Sequence, residues 1–411
     1  MTADVFRLAS GSAATPVSLG NVHVGTALSG NIAVTNTAAN DGFSEKLNAS
    51  VTGTGGDVAS ASGAVNGLGA GQTNSTGITA SLNTSTAGAK SGTATLAFAS
   101  DGTGIDGGAP VSAGSQSVTV NGKVYTPAVA AVQTGSVNFG IVHVGDGGGQ
   151  LSQSVAVKND AQVTALNDVL TGSIAAGAAP FSGNGTLGAG LGAQQSSSAL
   201  QVGLDTSNAG IFSGSADLAL ASHDTDLADL ALVTAPVQLD AQINNYAKLG
   251  FLNTGGIGNL SGGGNMFTLD FGTLLLNSGT QQTHLSFLND NPLGEQTFTD
   301  LLSSSLLSSS STGFTLGGQT YVLSLAGGES GGGFDIGFDT SMLGSFRELL
   351  SFNVDSSNSS GFDQTIDYVT LALAGRVTSS TVPEPPSLPL ELTGLVMLGF
   401  AYWRRMRRSV R

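Results

Sequence analysis

Along most of the chain, apolar residues alternate with Ser, Thr, Asn or Asp instead of recurring every third or fourth position. Examples are Gly92-Thr-Ala-Thr-Leu-Ala-Phe98, Gln116-Ser-Val-Thr-Val120, Val237-Gln-Leu-Asp-Ala-Gln-Ile243 and Ile366-Asp-Tyr-Val-Thr-Leu-Ala-Leu373. A period of two sends successive side chains to opposite faces of a strand, so each such stretch buries one face and leaves the other outward. Clusters of Gly, Asn, Ser and Asp separate the stretches and supply turns. The pattern predicts an all-β protein of many short strands.

The same pattern occurs in three copies. Val17-Ser-Leu-Gly-Asn-Val-His-Val-Gly25 returns as Val137-Asn-Phe-Gly-Ile-Val-His-Val-Gly145 and, more weakly, as Leu269-Asp-Phe-Gly-Thr-Leu-Leu-Leu-Asn277. Each is followed by an alternating stretch that ends in asparagine, at Asn36, Asn159 and Asn289. A later landmark, Ser81-Leu-Asn-Thr-Ser-Thr-Ala-Gly88, returns as Gly203-Leu-Asp-Thr-Ser-Asn-Ala-Gly210 and Gly337-Phe-Asp-Thr-Ser-Met-Leu-Gly344. Two landmarks in a constant order define a tandem repeat. Several short strands per copy predict an antiparallel sandwich of immunoglobulin-like type. The expected organisation is an N-terminal segment over 1–14, sandwiches over 15–126, 127–247 and 248–377, and a tail over 378–411. Gly/Ser/Ala-rich stretches at 53–77, 172–198 and 302–333 read as long loops, with a short helix as the other reading of the Leu/Ser run from Leu301.

Composition narrows the function. Among 411 residues, 61 are Gly and charged residues make up only 10%. The net charge is −15, and −18 over residues 1–380. A surface of that sign repels nucleic acid and excludes it as a partner. With no cysteine, disulfides, thiol chemistry and cysteine metal sites are excluded. The first residues, Met1-Thr-Ala-Asp-Val-Phe-Arg-Leu, lack the basic and apolar regions of a signal peptide.

The C-terminus is of a different kind. Val382-Pro383-Glu384-Pro385 is followed by an uncharged run, Leu392 to Trp403, and then by Arg404, Arg405, Arg407, Arg408 and Arg411. Arginines flanking a membrane segment stay on the cytoplasmic side, which places the rest of the chain across the membrane. The uncharged run alone would span roughly 18 Å as a helix, short of a bilayer core of about 30 Å. This three-part tail resembles the PEP-CTERM sorting signal. That resemblance implies export from a Gram-negative, exopolysaccharide-producing bacterium and processing by exosortase, a membrane transpeptidase-like enzyme that recognises the Pro-Glu-Pro at 383–385. It also implies a short transmembrane helix, with the arginines setting its topology. The Phe-Gly-x-Val-x-Val-Gly opening and the Asn-Thr-Ser-x-x-Gly landmark resemble choice-of-anchor D repeats of bacterial surface proteins, which implies an extracellular β-sandwich with no catalysis attached.

Candidate chemistry elsewhere is sparse. His23 and His143 hold equivalent positions between valines, which places them on the face opposite those valines and predicts solvent-facing or edge histidines. Asp101 and Asp106, and the cluster Asp224, Asp226 and Asp229, are candidate Ca²⁺ loops, although neither matches the register of a standard calcium loop. No catalytic residue, cofactor site or metal site is assigned. The function expected is a structural or adhesive protein, exported and held at the membrane by its C-terminus before release to the surface or matrix. Alternatives are an extracellular module that binds polysaccharide or Ca²⁺ and, less well supported, a secreted enzyme.

Overall fold

In a computed structural model of the chain, residues 4–291, 296–309 and 313–379 are described. The sorting motif Val382, Pro383, Glu384 and Pro385, the expected transmembrane helix and Arg404, Arg405, Arg407 and Arg408 lie outside them. Among the described residues no helix is long and apolar enough to cross a membrane. Among the described residues strands dominate, and the helical elements are two short 3₁₀ turns.

The described residues fall into two compact units. One takes in Met1–Gly140, Gly145–Ser207 and Ile211–Ala241; the other takes in Ile141–Val144, Asn208–Gly210 and Gln242–Arg411. The first unit contains the first repeat and most of the second.

Each repeat builds layers of mostly antiparallel strands from the alternation seen in the sequence. In Gly88–Asp101 every second residue is buried, through Ala94, Leu96, Phe98 and Ser100. The third repeat pairs Leu249–Gly256, Gln281–Asn289, Ser330–Phe338 and Phe314–Gln319 in one sheet. Its other sheet runs Asn259–Gly263, Met266–Leu275, Asp363–Thr378, Gly344–Ser357, Leu301–Ser308 and Tyr321–Leu325. The second repeat follows the same plan with a four-stranded and a five-stranded sheet.

The first repeat departs from this plan at one strand. Val58–Leu68 pairs with Ile78–Leu82 through Val58–Gly63 and with Lys46–Gly56 through Ala64–Leu68, so it joins what are separate sheets in the other repeats. The change of partner falls at Gly63, where φ is +103° and an added Cβ would lie 2.1 Å from the Gly77 carbonyl oxygen. Only glycine fits that crossing.

One pairing positions the site described below. Val17–His23 runs parallel to the last strand of its repeat, Val111–Tyr125, with Tyr125 opposite His23. In the third repeat Met266–Leu275 pairs in parallel with Asp363–Thr378, with Leu275 opposite Thr378. The landmark strand and the last strand therefore end together, where the chain leaves the repeat.

The cores differ in content. The first repeat packs Ile32, Val34, Leu47, Ile78, Leu96 and Val118 around a single buried phenylalanine, Phe98. The third repeat buries Phe251, Phe267, Phe271, Phe287, Phe314, Phe334, Phe338 and Phe352. Their rings meet edge-on or stacked, as between Phe251 and Phe267 (5.3 Å, 89°) and between Phe314 and Phe338 (4.9 Å, 22°).

Two expectations are corrected. The small-residue stretches at 53–77 and 302–333 are largely strands, in Lys46–Gly56 with Val58–Leu68 and in Leu301–Ser308 with Phe314–Gln319 and Tyr321–Leu325, whereas 172–198 keeps long connections at 177–180 and 185–195 around the ends of Val169–Ala176, Phe181–Asn184 and Ser196–Asp205. Gly, Ser and Ala hold a pleat when neighbouring strands supply the hydrogen bonds. The Leu/Ser run is neither loop nor helix, because Leu302 and Ser304 face the core with the intervening residues outward. The segment over 1–14 is also not set apart: Gly11–Ala13 pairs with Val34–Asn36, and Ala9 and Ala13 are buried.

Candidate functional site

At the start of each repeat, three polar side chains form one corner. The first is the asparagine that ends the second landmark strand. Asn36, Asn159 and Asn289 accept a backbone N–H at Oδ1 from Ser10, Val129 and Lys248, and donate from Nδ2 to the carbonyls of Leu68, Leu191 and Leu325. All three asparagines are fully buried, and their bonds tie the entering chain to the sheet.

The second is a carboxylate: Glu45, Asp168 and Asp300, exposed by 7%, 1% and 1%. Its backbone N–H bonds the carbonyl of the entering chain at Arg7, Thr126 and Asn245. The third is a serine. Ser100, Ser222 and Ser356 accept the N–H of Ala9, Ala128 and Ala247 and donate their hydroxyls to the carboxylate at 2.6, 2.6 and 3.0 Å.

Within the first unit, the Nε2 of His23 lies 2.7 Å from Oδ2 of Asp168. His23 ends the landmark strand of repeat 1 and Asp168 stands at the corner of repeat 2, so this contact joins the two. A second connection runs alongside it: Asp226, from the loop between the last strands of repeat 2, accepts from Nζ of Lys123 (2.6 Å) and from the hydroxyl of Tyr125. These hydrogen bonds hold the Asp226 carboxyl below the usual carboxylate range, the Lys123 bond contributing most.

Within the second unit, His143 Nε2 lies 2.8 Å from Oδ2 of Asp300. This cluster is closed. His143 is 4% exposed, its ring stacks on Tyr246 at 4.0 Å and 13°, and Phe362 packs against it at 4.5 Å. Asp300 also accepts from Ser356, from Asn244 (2.8 Å) and, at both oxygens, from Asn358 (3.1 Å). Burial pushes the Asp300 carboxyl up, but the hydrogen bonds from His143, Asn244, Asn358 and Ser356 outweigh it and hold the group below its ordinary value.

Both His23 and His143 sit on edge strands, Val17–His23 and Ser136–His143, as expected. The expectation that they face solvent is corrected, because His143 is buried and His23 is largely covered. Each is on the face opposite its flanking valines, but that face at the strand end meets the carboxylate corner, not water. The exposed histidines are the other two: His223 pairs with Asp229 at 2.6 Å and His284 with Asp335 at 2.8 Å.

The candidate calcium loops do not gather their acids around one point. Asp224 accepts the N–H of Asp226, Asp226 is held by Lys123 and Tyr125, and Asp229 by His223. Asp101 accepts from Asn48 and from the Thr103 N–H, and Asp106 accepts the Gly108 N–H. Among the described residues no three His, Cys, Asp or Glu side chains are placed to hold a metal ion. A cleft of about 610 Å³ in the first unit is lined by Val24, Thr86, Pro127, Val129, Asp160 and Thr164, among others. Its one carboxylate, Asp160, is paired with Lys158 at 2.7 Å, so the walls offer contact area and hydroxyls but no acid–base pair.

The carboxylate corner escaped sequence reading, although a signal exists. Phe43-Ser-Glu45-Lys-Leu47, Leu166-Asn-Asp168-Val-Leu170 and Phe298-Thr-Asp300-Leu-Leu302 share an apolar–polar–acid–x–Leu order and form a third landmark.

No family model matches the chain, and no curated protein matches it. Among solved structures, the human desmocollin-1 ectodomain is 8% identical, over 92% of this chain and 63% of that one, with a TM-score of 0.33. Mouse protocadherin-24 EC1–3 is 9% identical, over 89% and 98%, with a TM-score of 0.33. A protein of unknown function from Porphyromonas gingivalis W83 is 13% identical, over 60% and 99%, with a TM-score of 0.19. Likenesses this distant carry no argument; the chain is an all-β protein of layered sandwiches on the strength of its own strand pairing.

Proposed function

We propose that this chain is an exported bacterial surface or matrix protein with a structural, adhesive role, delivered by its C-terminal tail. The observation that carries the reading is the repeated corner. A protein whose work is to present surface needs modules joined by side chains and not by linkers alone, and the histidine of repeat 1 is bonded to the carboxylate of repeat 2. The acidic surface and the absence of cysteine suit display outside the cell without dependence on redox conditions.

In this reading exosortase recognises Pro383, Glu384 and Pro385, the apolar run holds the chain in the membrane until processing, and Arg404, Arg405, Arg407 and Arg408 keep the end of the chain inside. Glu384→Ala in the native cell should block processing, so that intact mass spectrometry finds the arginine cluster still attached and the protein in the membrane fraction. A mutant trimmed and localised like the wild type would defeat the proposal.

A further inference from the structure

We propose that the entry face of repeat 1 is a docking surface for the histidine-bearing end of another sandwich module of this kind. Its corner matches the two that are occupied. Glu45 stands where Asp168 and Asp300 stand, and it takes the same serine hydroxyl from Ser100. What the other two corners have in addition is an imidazole at 2.7 and 2.8 Å.

The apolar surroundings point the same way. Leu8 holds the position of Pro127 and Tyr246, one residue before the alanine that bonds the corner serine; it is 55% exposed, whereas the other two are partly covered. Phe43, two residues before Glu45, packs on one side against Phe6 (5.9 Å) but is still 47% exposed, whereas its counterparts Leu166 and Phe298 are partly covered. Val5, four residues before Ala9, is 81% exposed, whereas Val124 and Ile243, four before Ala128 and Ala247, are fully buried in last strands. At the entry face of repeat 1, Leu8 and Phe43 are more exposed than their counterparts at the two occupied corners, around a carboxylate of the same kind.

The occupant follows from the donor. It must carry histidine at the end of its landmark strand, beside its last strand. Repeat 3 has Leu275 there, and His23 and His143 are already bonded, so a second copy of this chain offers no donor end. The partner is a module with a Val-His-Val-Gly end like those of repeats 1 and 2. This inference is independent of the sorting proposal, because purified protein suffices to test it.

The test is the full chain lengthened by a second copy of residues 7–125 placed directly before Arg7, which reproduces the spacing from Tyr125 to Ala128. Diethyl pyrocarbonate modification, read by peptide mass spectrometry, reports each histidine. The added histidine should react at least about tenfold more slowly than His223 and His284, as expected for a buried hydrogen bond. Glu45→Ala in the original repeat should remove that protection. Reaction at the rate of His223, indifferent to Glu45→Ala, would overturn the proposal. Should the lengthened chain misfold, the unlengthened chain still decides: Leu8→Ser with Phe43→Ser should leave its unfolding midpoint unchanged if these side chains serve a partner. A large loss would assign them to the fold of repeat 1 and sink the idea.

Discussion

Asp168 and Asp300 occupy the same place in successive repeats, yet their surroundings are unequal. Asp300 has both oxygens filled, by His143, Ser356, Asn244 and Asn358, under a lid made by Tyr246 and Phe362. Asp168 takes His23 and Ser222 at one oxygen, while its buried Oδ1 has no partner. The difference lies in the loop between the last two strands and in the residue that ends the preceding repeat's last strand, Asn244 at Asp300 and Tyr125, bonded to Asp226 instead, at Asp168. In repeat 3 that loop brings Asn358 and Phe362 onto the histidine. In repeat 2 it brings Asp226 to Lys123 and Tyr125, on the more exposed side of the joint. A shared motif therefore fixes the contact, while the variable loop and the last residue of the preceding strand set how well the contact is satisfied. A buried carboxylate with every lone pair used stabilises far more than one left with an orphan oxygen.

The comparison is tested most severely by removing each acid. Asp300→Ala strands a histidine, a serine and two amides in a buried cluster and should cost the second unit about 3–5 kcal/mol. Asp168→Ala also removes an unsatisfied oxygen and should cost about 1–3 kcal/mol. Denaturant unfolding followed by peptide-resolved hydrogen exchange separates the two units. Equal losses would show that hydrogen-bond saturation is not what distinguishes them.

A smaller change should make one corner behave like the other. Asn358→Ala withdraws the amide that reaches both oxygens of Asp300 and should cost about 1–2 kcal/mol. Asp300→Ala added to it should then cost less than in the wild type, because the two changes share one network. Strict additivity in this double-mutant cycle would mean that Asn358 acts elsewhere.

Much of the architecture was legible, for a plain reason. Alternation in Gln116-Ser-Val-Thr-Val120 and the repeated asparagines report local geometry, and local geometry is what a period of two encodes. The Ser/Gly strands look like loops in sequence because strand propensity is carried by β-branched and aromatic side chains, and Leu301-Leu-Ser-Ser-Ser holds its pleat through neighbours supplied from elsewhere in the chain. The edge position of the histidines is legible in the same way, but their burial is not, for a related reason. The face opposite Val22 and Val24 is solvent for an isolated sandwich, and it meets a carboxylate only because Asp168, 145 residues along, closes against it. Nothing in Val-His-Val-Gly itself announces that contact. The signal sat in the acids at Glu45, Asp168 and Asp300, whose order repeats but whose identity changes.

The subtlest test uses pH, because the second unit holds an orphan carboxylate as well as a saturated one. Glu348 points into the core, 3% exposed, with Oε2 buried and unpartnered, and burial raises its pKa. The two acids work in opposite directions. Asp300, held low, contributes stability that is present above the unfolded carboxyl value of about 3.9 and is lost as pH falls through its lower folded value. Glu348, held high, contributes stability that is complete below about 4.3 and is lost as pH rises through its raised folded value. Acidified from neutrality, the second unit should first gain stability as Glu348 takes up its proton and then lose it as Asp300 does. Glu348→Gln should remove the first limb and raise stability at neutral pH by on the order of 1 kcal/mol, while leaving the acid limb in place. Asp300→Ala should remove the acid limb and keep the first. A Glu348→Gln protein that still gains stability on mild acidification would show that the rise belongs to another group, and that an orphan oxygen in this core carries less cost than the contrast between Asp168 and Asp300 implies.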